Sequence, residues 1–566
     1  MKRFCRKLLL IAIAACAAVQ QGWTAPQAHA HGGQTNPQDA AGANRPLAPL
    51  LKNIGDYSRP LTNCSDSAQQ FFDQGLRLMY GFYYPEAVAS FLEATRLDAD
   101  CAMASWGVAQ AYFAKPDDPQ GTAANAIRRA IELAGRASQQ DRGLIQALNV
   151  WYDSAALPDR GKRDLAHVNA MRELLKLYPD DPEIGTLFAN SMTTLSAFYP
   201  FSHWAPDGSP YPGTLEAAAA LEQVIQRVPN HPGANHYFIH LHEASQKPEI
   251  ALPHAERLVH AMPGQGHIVH MPTHIYMLTG RYAEAVEANR ASIAADEALV
   301  KAWEGYPIPP SMAMFHPNHA RSFLLLAAEM QGNFASAMEA ARGVAAAFPL
   351  TQLRAGPMQQ FQGAFVRPWL TAKRFGKWQQ LLDEPKPADC PPFVEGIWLF
   401  ARGSALLATG RMQEAERTLY QLRSIQQIAG LDALMVRANS ARRLLEIAGL
   451  VLEGELRASR GDNDRALLLL SEAVRLEDGL RYMEPPDWGH PVRHSLGAVL
   501  LAAGRAHEAE VVYWEDLRRN PENGWSLFGL WQSLLAQRDV LRASEVEKRF
   551  RRSWQGADVQ LKASRF

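Results

Sequence analysis

This 566-residue sequence has few cysteines, few long hydrophobic runs and almost equal numbers of positive and negative side chains. The apolar stretch near its start, LLLIAIAA, is too short to span a bilayer, and no transmembrane segment is predicted. The formal net charge is −1, so the charge balance gives no indication of nucleic acid or an anionic membrane as a partner. Nucleophile-elbow, phosphate-loop, H-E-x-x-H and c-type haem motifs are missing, so no named enzyme class is indicated.

The first 30 residues have the pattern of an export signal. MKRFCRK is a positively charged start, LLLIAIAA an apolar core, and Ala28-His29-Ala30 a cleavage site. A second interpretation stays open, because Ile13-Ala14-Ala15-Cys16 resembles a bacterial lipobox that would make Cys16 a lipidated N-terminus; the long stretch from Val19 to Ala30 favours this lipoprotein. Either way we expect a periplasmic protein or a membrane-anchored envelope lipoprotein, with a polar, disordered linker over residues 31–60.

A pair of histidines four residues apart occurs twice in the sequence. HYFIHLHE contains His236 and His240, and GHIVHMPTHIY contains His270 and His274, 34 positions later. Histidines four apart share one face of a helix, and 34 residues is the period of a tetratricopeptide helix pair. Stacked repeats would therefore place four imidazoles on neighbouring helices.

The same period runs through the rest of the chain. FFDQGLRLMYGFYYPEAVASFLEATRLDADCA resembles a tetratricopeptide repeat with Gly75, Ala87, Phe91 and Ala94 at its signature positions. Glycine and a following alanine recur as Gly280 with Ala285, Gly332 with Ala337, Gly410 with Ala415, Gly461 with Ala466, and Gly504 with Ala509. The glycine permits a left-handed exit from the first helix, and the alanine lets the second approach closely. We predict an all-α, right-handed tetratricopeptide-type solenoid, one continuous superhelix over residues 61–566.

Several motifs resemble those of an uncharacterised group of exported bacterial tetratricopeptide-repeat proteins. They are FFDQGL, DCAMASWG, HPGANHYFIHLHEAS, PGQGHIVHMPTHIY and NPENGWSLFGL. HxxxHxHE also weakly resembles a motif of the tetratricopeptide repeat protein 38 group. The resemblance implies the fold but no reaction, so whether the protein is an enzyme stays open and function must be argued from the site.

Outside the signal only Cys64, Cys101 and Cys390 remain. Cys64 and Cys101 each precede the first helix of a repeat, so the two start points would lie side by side in the stack. Export makes the environment oxidising, and we predict a Cys64–Cys101 disulfide with Cys390 as a lone thiol. The alternative is two unpaired cysteines acting as small core residues.

Two insertions interrupt the repeats on either side of the histidines. FYPFSHWAPDGSPYPG falls near residues 196–213, and EGYPIPPSMAMFHPNHARS places a second loop near 304–318. Both are far longer than a normal turn between helices. Aromatic, proline-rich loops of this kind are usually functional or cover a surface.

The histidines form the strongest candidate site. In tetratricopeptide proteins, positions 2, 5, 9 and 12 of the first helix face the concave groove, and this resemblance places Glu243 and six histidines there: His236, His240, His267, His270, His274 and His319. Imidazole suits Zn, Cu, Ni or Fe, so we predict one or two transition-metal sites, with Glu243 as candidate catalytic acid or base. Pro272 would kink the second helix or mark its first turn, in which case His267 and His270 lie in the preceding loop. The alternative is a groove whose histidines bond one another or a peptide.

A second cluster lies near the C-terminus. EPPDWGHPVRHS and NPENGW contain Trp488, His490, Arg493, His494, Asn523 and Trp525. A superhelix of this many repeats could bring them over the histidine groove, although capping and packing roles explain them as well.

Two functions therefore remain. In the first, the groove binds a transition metal (Zn, Cu or Fe) and a small ligand. In the second, the protein is an envelope scaffold whose groove binds a peptide or protein partner without metal.

Overall fold

The computed structural model describes residues 45–114, 118, 120–195, 202–205 and 207–566. The predicted signal peptide, Cys16 and the first part of the predicted linker lie outside these residues. None of the helices described is both long and apolar enough to cross a membrane.

The described chain is built of successive helices that pack against their neighbours in sequence. This confirms the predicted fold class, an all-α helical solenoid of the tetratricopeptide type. The helices before residue 303 are α1 Asp66–Tyr80, α2 Tyr84–Leu97, α3 Ala102–Ala114, α4 Thr122–Leu133, α5 Gln139–Tyr152, α6 Arg160–Leu177, α7 Pro182–Leu195, α8 Thr214–Arg227, α9 Pro232–His242, α10 Leu252–Leu258, α11 Gly266–His270, α12 Pro272–Leu278 and α13 Tyr282–Ala302.

The second half continues in the same way. Its helices are α14 Ser311–Met330, α15 Phe334–Ala346, α16 Gln362–Phe365, α17 Arg367–Arg374, α18 Trp378–Asp383, α19 Pro392–Ala408, α20 Met412–Gln426, α21 Ala441–Ser459, α22 Asn463–Asp478, α23 Val492–Ala502, α24 Ala506–Arg519, α25 Gly524–Ala536 and α26 Val540–Ser553. Short 3₁₀ turns lie at Ala134–Arg136, Pro248–Ala251, Leu350–Gln352 and Pro357–Phe361. A two-stranded hairpin pairs β1, Met435–Val436, with β2, Asn439–Ser440, in antiparallel register.

The chain divides into two compact units, each with its own hydrophobic core. The N-terminal unit comprises the described residues up to Ile275 together with Ala288–Ala320. The C-terminal unit comprises Tyr276–Glu287 and Arg321–Phe566. One continuous superhelix over residues 61–566 stays a prediction.

Small residues set the spacing of the helices, as the sequence predicts. The glycines that mark the repeats all have φ between 73° and 78°, in the left-handed region: Gly280, Gly332, Gly410, Gly461 and Gly504. The alanines that follow are at most 1% exposed: Ala285, Ala337, Ala415, Ala466 and Ala509. The backbone can therefore reverse sharply, and the second helix can approach the first without a bulky side chain between them.

Residues 45–60, predicted as part of a disordered linker, are packed against the first helices. Leu47, Ala48 and Ile54 are buried. The Arg59 guanidinium pairs with Asp141 at 2.8 Å and with Asp181 at 2.9 Å. This corrects the prediction: the polar composition masked a few anchoring residues whose buried contacts hold the segment in place.

The two predicted insertions differ from each other. Of residues 196–213, those at 196–201 and 206 lie outside the described chain, and the rest form a loop whose Trp204 Nε1–H donates to the Leu241 carbonyl at 2.7 Å. The second is only partly a loop, because α14 begins at Ser311 and residues 311–318 are helical. The backbone N–H groups of Met312 and Ala313 donate to the Glu86 carboxylate, which caps this helix inside the predicted loop.

Cys64 and Cys101 form a disulfide in the structure, and Cys390 is free. Cys64 lies just before α1 and Cys101 just before α3, 37 positions apart in sequence. The bond therefore encloses the first helix pair.

We expect Cys64→Ser/Cys101→Ser to lower the free energy of unfolding by about 4 kcal/mol, because opening a loop of this length restores conformational freedom to the unfolded chain. Denaturant unfolding without reductant measures the difference. Cys390→Ser is the matched control and should change it by less than about 1 kcal/mol. Equal stability of the double variant and the control would contradict the prediction.

Candidate metal centre

Helix α9 carries the first histidine pair, and its start is fixed by local contacts. The His231 side chain accepts the Ala234 N–H at 3.1 Å, and Pro232 occupies the first turn, where a missing N–H is harmless. Gly233 faces Tyr80 of α1 so closely that a Cβ atom there would lie 2.2 Å from the tyrosine ring. Only glycine allows α9 to approach α1 in this way.

The second histidine pair lies on a broken helix. Helix α11 ends at His270, and α12 begins at Pro272, which has no N–H to continue the first ladder. His267 and His270 are therefore on a short helix of their own rather than in a preceding loop. The break places His270 and His274 on two successive helical segments.

The six predicted histidines fall into two trios in the N-terminal unit. The first trio is His236, His240 and His267, and the second is His270, His274 and His319. Within each trio, one ring nitrogen per residue lies within 4.8 Å of the others. The trios are adjacent, since the ring centroids of His240 and His274 are 5.3 Å apart. Spacing of this kind is compatible with one ion on each trio.

In the first trio, two rings are held by their Nδ1 atoms. His236 Nδ1 donates to the backbone carbonyl of Tyr80, and His240 Nδ1 donates to Glu243 Oε1 at 2.8 Å. Carbonyl and carboxylate oxygens only accept, so each Nδ1 carries the proton and each Nε2 carries a lone pair. Both Nε2 atoms are buried and have no hydrogen-bond partner among the residues described. Metal-binding histidines are usually oriented by such a bond from the other ring nitrogen.

The second trio repeats the pattern. His274 Nδ1 donates to Glu243 Oε2, and His270 Nδ1 donates to Asn289 Oδ1 at 2.6 Å. The two Nε2 atoms lie 2.9 Å apart, a distance that suits a hydrogen bond between the rings or two ligands of one ion. Two imidazole nitrogens on one ion are about 2.9 Å apart at a 90° angle and about 3.4 Å apart at a tetrahedral angle. The observed distance is compatible with two ligands of one metal at an angle near 90°.

Glu243 links the trios instead of facing an open cavity. Its carboxylate is buried, and each oxygen accepts from an imidazole of a different trio. Burial alone would raise the pKa of Glu243, but the His274 and His240 rings hold that pKa well below its usual range. Glu243 is thus an ionised group that orients both rings, and its role as catalytic acid or base stays a prediction.

The buried histidines resist protonation. Burial lowers the pKa of His236, His267 and His270 well below the usual value, and neighbouring imidazoles lower it further. Neutral imidazole is the form that binds metal. These three residues therefore stay in the binding form at mildly acidic pH.

His267 is positioned through its backbone. Its N–H donates to the Tyr83 hydroxyl at 2.8 Å, and that hydroxyl donates to Asp296 at 2.5 Å. Burial raises the pKa of Asp296 to about 8. Both ring nitrogens of His267 are buried without a hydrogen-bond partner in the part of the chain described, so either could act as a ligand.

Three side chains outside the predicted set of ligands lie near the site. His316 stacks on His267 with ring centroids 4.6 Å apart, and burial lowers its pKa to about 3. Phe82, whose φ is 61°, contacts the rings of His236, His240 and His267. Burial lowers the pKa of His203 to about 4, and His240 adds to that shift. The sequence feature that could have indicated His316 is its position three residues before His319 on α14.

The second predicted cluster lies in the C-terminal unit and has its own partners. His490 and His494 contact Glu329 and Asp516 at 3.3 Å and 3.0 Å. Arg493 pairs with Asp478, and Asn523 caps α25 and donates to Asp516. Trp525 Nε1–H donates to the Glu329 carbonyl at 2.8 Å. Closure of this cluster over the histidines stays a prediction.

Comparisons with known proteins give only distant structural likenesses. No protein-family model matches the chain, and no curated protein matches it. A human IFIT1 dimer with m7Gppp-AAAA is 11% identical with a TM-score of 0.32 and covers 84% of this chain and 94% of its own. Yeast Tom70 is 14% identical with a TM-score of 0.25, covering 86% and 96%. The TPR domain of P58(IPK) is 12% identical with a TM-score of 0.19, covering 84% and 99%. Scores this low give no information about a ligand.

The buried histidines predict a loss of stability in acid for the metal-free protein. Burial lowers the pKa of His231 and His316 to about 3, whereas an unfolded histidine titrates near 6.5. Below about pH 6.5 the unfolded chain therefore binds protons that the folded chain does not, and the free energy of unfolding falls until about pH 3. Glu183, Asp296 and Glu477, whose pKa values are raised by burial to about 7, about 8 and about 8, act in the opposite direction, but the histidines whose pKa burial lowers outnumber them. Urea unfolding at pH 7.5 and pH 5 measures the net fall.

His231→Asn isolates one proton of this effect, because asparagine can also cap α9. We expect the fall between pH 7.5 and pH 5 to shrink by about 2 kcal/mol, the contribution of one group with an unfolded pKa of 6.5. An unchanged fall in this variant would show that His231 is not held neutral by the fold.

Proposed function

We propose that the N-terminal unit binds two transition-metal ions side by side, one on His236, His240 and His267 and one on His270, His274 and His319. One observation carries the proposal: four of these rings bond an oxygen acceptor through Nδ1, so Nε2 is the ring nitrogen that can bind a metal. This is how proteins orient histidine ligands. The geometry favours two ions over a single shared one.

The chemistry of the ligands limits which metal ions can bind. Imidazole nitrogens suit Zn, Cu, Ni and Fe, whereas Ca and Mg require oxygen ligands. The ionised Glu243 adds a negative charge beside both trios, which favours a cation further. Zn, Cu or Fe is the proposed cofactor.

Three imidazoles leave a position of a four-coordinate ion open. We propose that a small molecule occupies this position, and whether the ion stores, delivers or transforms it depends on which metal is bound. A peptide track is less well supported, because the imidazoles are buried: His236 is 0% exposed and His270 is 1% exposed. The protein-binding scaffold remains the alternative that the fold class suggests.

We also propose that the protein works in the cell envelope. The predicted export signal carries this proposal from the sequence, whether it is cleaved after Ala30 or ends in a lipobox at Cys16. The Cys64–Cys101 disulfide supports it, because such bonds persist in oxidising compartments.

Elemental analysis of protein purified from its native compartment tests the metal proposal. We expect about two ions per chain, and about one in each of two double variants, His236→Ala/His240→Ala and His270→Ala/His274→Ala, because each removes two ligands of one trio. His260→Ala/His507→Ala removes two exposed histidines and is the control. Circular dichroism should show unchanged helix content. A metal-free wild type that takes up added Zn or Cu as weakly as both double variants would overturn the proposal.

Glu243→Gln tests the link between the trios. A glutamine amide has only one accepting oxygen, so it cannot accept from His240 and His274 together. We expect the affinity of both ions to fall by roughly 10- to 100-fold, the usual effect of losing an orienting partner. Competition with a chromogenic chelator measures each step, with the exposed Glu249→Gln as control. An effect on neither ion would show that Glu243 does not orient the ligands.

A further inference from the structure

A second polar cavity lies in the C-terminal unit, apart from the histidine trios. Its volume is about 40 Å³, and the side chains that line it include Lys373, Arg374, Trp488, His494, Trp525 and Arg565. A water molecule needs roughly 10–15 Å³ of such space. The cavity therefore has room for about three waters, or for one small ion of three to five heavy atoms.

The lining of the cavity is cationic. Lys373, Arg374 and Arg565 contribute three positively charged groups, and no carboxylate side chain is among the described residues that line it. Three carboxylates lie behind the wall, but other donors engage them. Glu329 accepts from Thr371 and His490, Glu455 accepts from Ser495 and pairs with Arg565 Nε at 3.8 Å, and Asp516 accepts from His494 and Ser526.

Two N–H donors of the lining have no acceptor. Arg374 Nε and Trp488 Nε1 are buried and have no hydrogen-bond partner in the described structure, and Arg565 Nε makes only an ion pair with Glu455 at 3.8 Å. Buried donors in native proteins nearly always have a partner, which can be a bound ion. Two donors without an acceptor around one cationic cavity are matched by a ligand that offers several acceptor oxygens.

Aromatic rings hold two of these cationic side chains in place. The Arg374 guanidinium stacks over the Trp525 ring at 4.4 Å, and Lys373 Nζ lies 5.1 Å from the centre of the Phe400 ring. Aromatic faces attract cations without using their N–H donors. Burial lowers the pKa of Lys373, and Glu455 offsets this only in part. A negative charge in the cavity would favour the charged forms of both side chains.

We propose that this cavity is a binding site for a small oxyanion, held by Arg374, Trp488, Arg565 and Lys373. The charged N–H donors supply charge-assisted bonds of the kind that recognise carboxylate and phosphate oxygens. The volume excludes nucleotides and peptides. Because the site lies in the other unit, it is independent of the metal proposal.

Isothermal titration of the full-length, metal-stripped protein tests the proposal with three probes: inorganic phosphate, sulfate and acetate. Sodium chloride at equal ionic strength is the reference. We expect saturable binding of at least one oxyanion with a Kd of 1 mM or tighter. Preference for phosphate and sulfate would indicate a tetrahedral ligand, and preference for acetate a carboxylate. No saturable binding of any of them, or equally tight binding of chloride, would overturn the proposal.

Trp488→Phe removes one N–H donor and keeps an aromatic ring, so it locates the binding. We expect a loss of roughly tenfold or more in oxyanion affinity, as for other hydrogen bonds to charged groups. Lys373→Met is a second variant that removes charge, and it should lose affinity similarly. Trp531→Phe, outside the cavity, is the control. Both cavity variants binding like the control while remaining folded by circular dichroism would show that the oxyanion binds elsewhere.

Discussion

Gly233 lies so close to the ring of Tyr80 that no side chain fits between α9 and α1. The arrangement of the first histidine trio depends on this contact. It brings the Tyr80 carbonyl to His236 Nδ1 and orients that ring, and His240 follows one turn later on the same helix. Tyr80 is itself fixed, because its hydroxyl donates to the buried Glu183, which Tyr57 also contacts. A backbone contact between two repeats thus determines where an imidazole nitrogen points.

Burying so many imidazoles removes them from water, which is unfavourable unless each polar atom finds a partner. In each of four rings, Nδ1 bonds an oxygen acceptor, and Nε2 is the nitrogen that remains for the trio. Glu243 is used twice, once by His240 and once by His274. The rings of His240 and His274 therefore cannot reorient independently, since both bond the same rigid carboxylate.

Much of the fold was predictable from the sequence because tetratricopeptide packing leaves local marks. The glycines and alanines of the repeats appear at a fixed spacing, and the 34-residue interval between the histidine pairs placed His236 and His270 on successive repeats. The rest depended on contacts that are distant in sequence. The bond between His236 and Tyr80 joins residues 156 positions apart, and the partition into trios depends on it. His316 was missed because residues 311–318 look like a loop, although Glu86 caps a helix there. The double use of Glu243 leaves no pattern in the sequence at all.

The segment before α1 changes how this array must fold. Its Leu47 N–H donates to Glu93 on α2, its Arg59 reaches Asp141 on α5, and its Tyr57 reaches Glu183 on α7, 126 residues away in sequence. In an ideal solenoid each repeat contacts only the repeats next to it, so distant repeats can form and melt nearly independently of one another. Here one extended strap crosses several repeats, and it can dock only after all of them are stacked. Helices α2, α5 and α7 are thereby coupled through this segment, and fraying of any one of them removes an anchor on which the others depend.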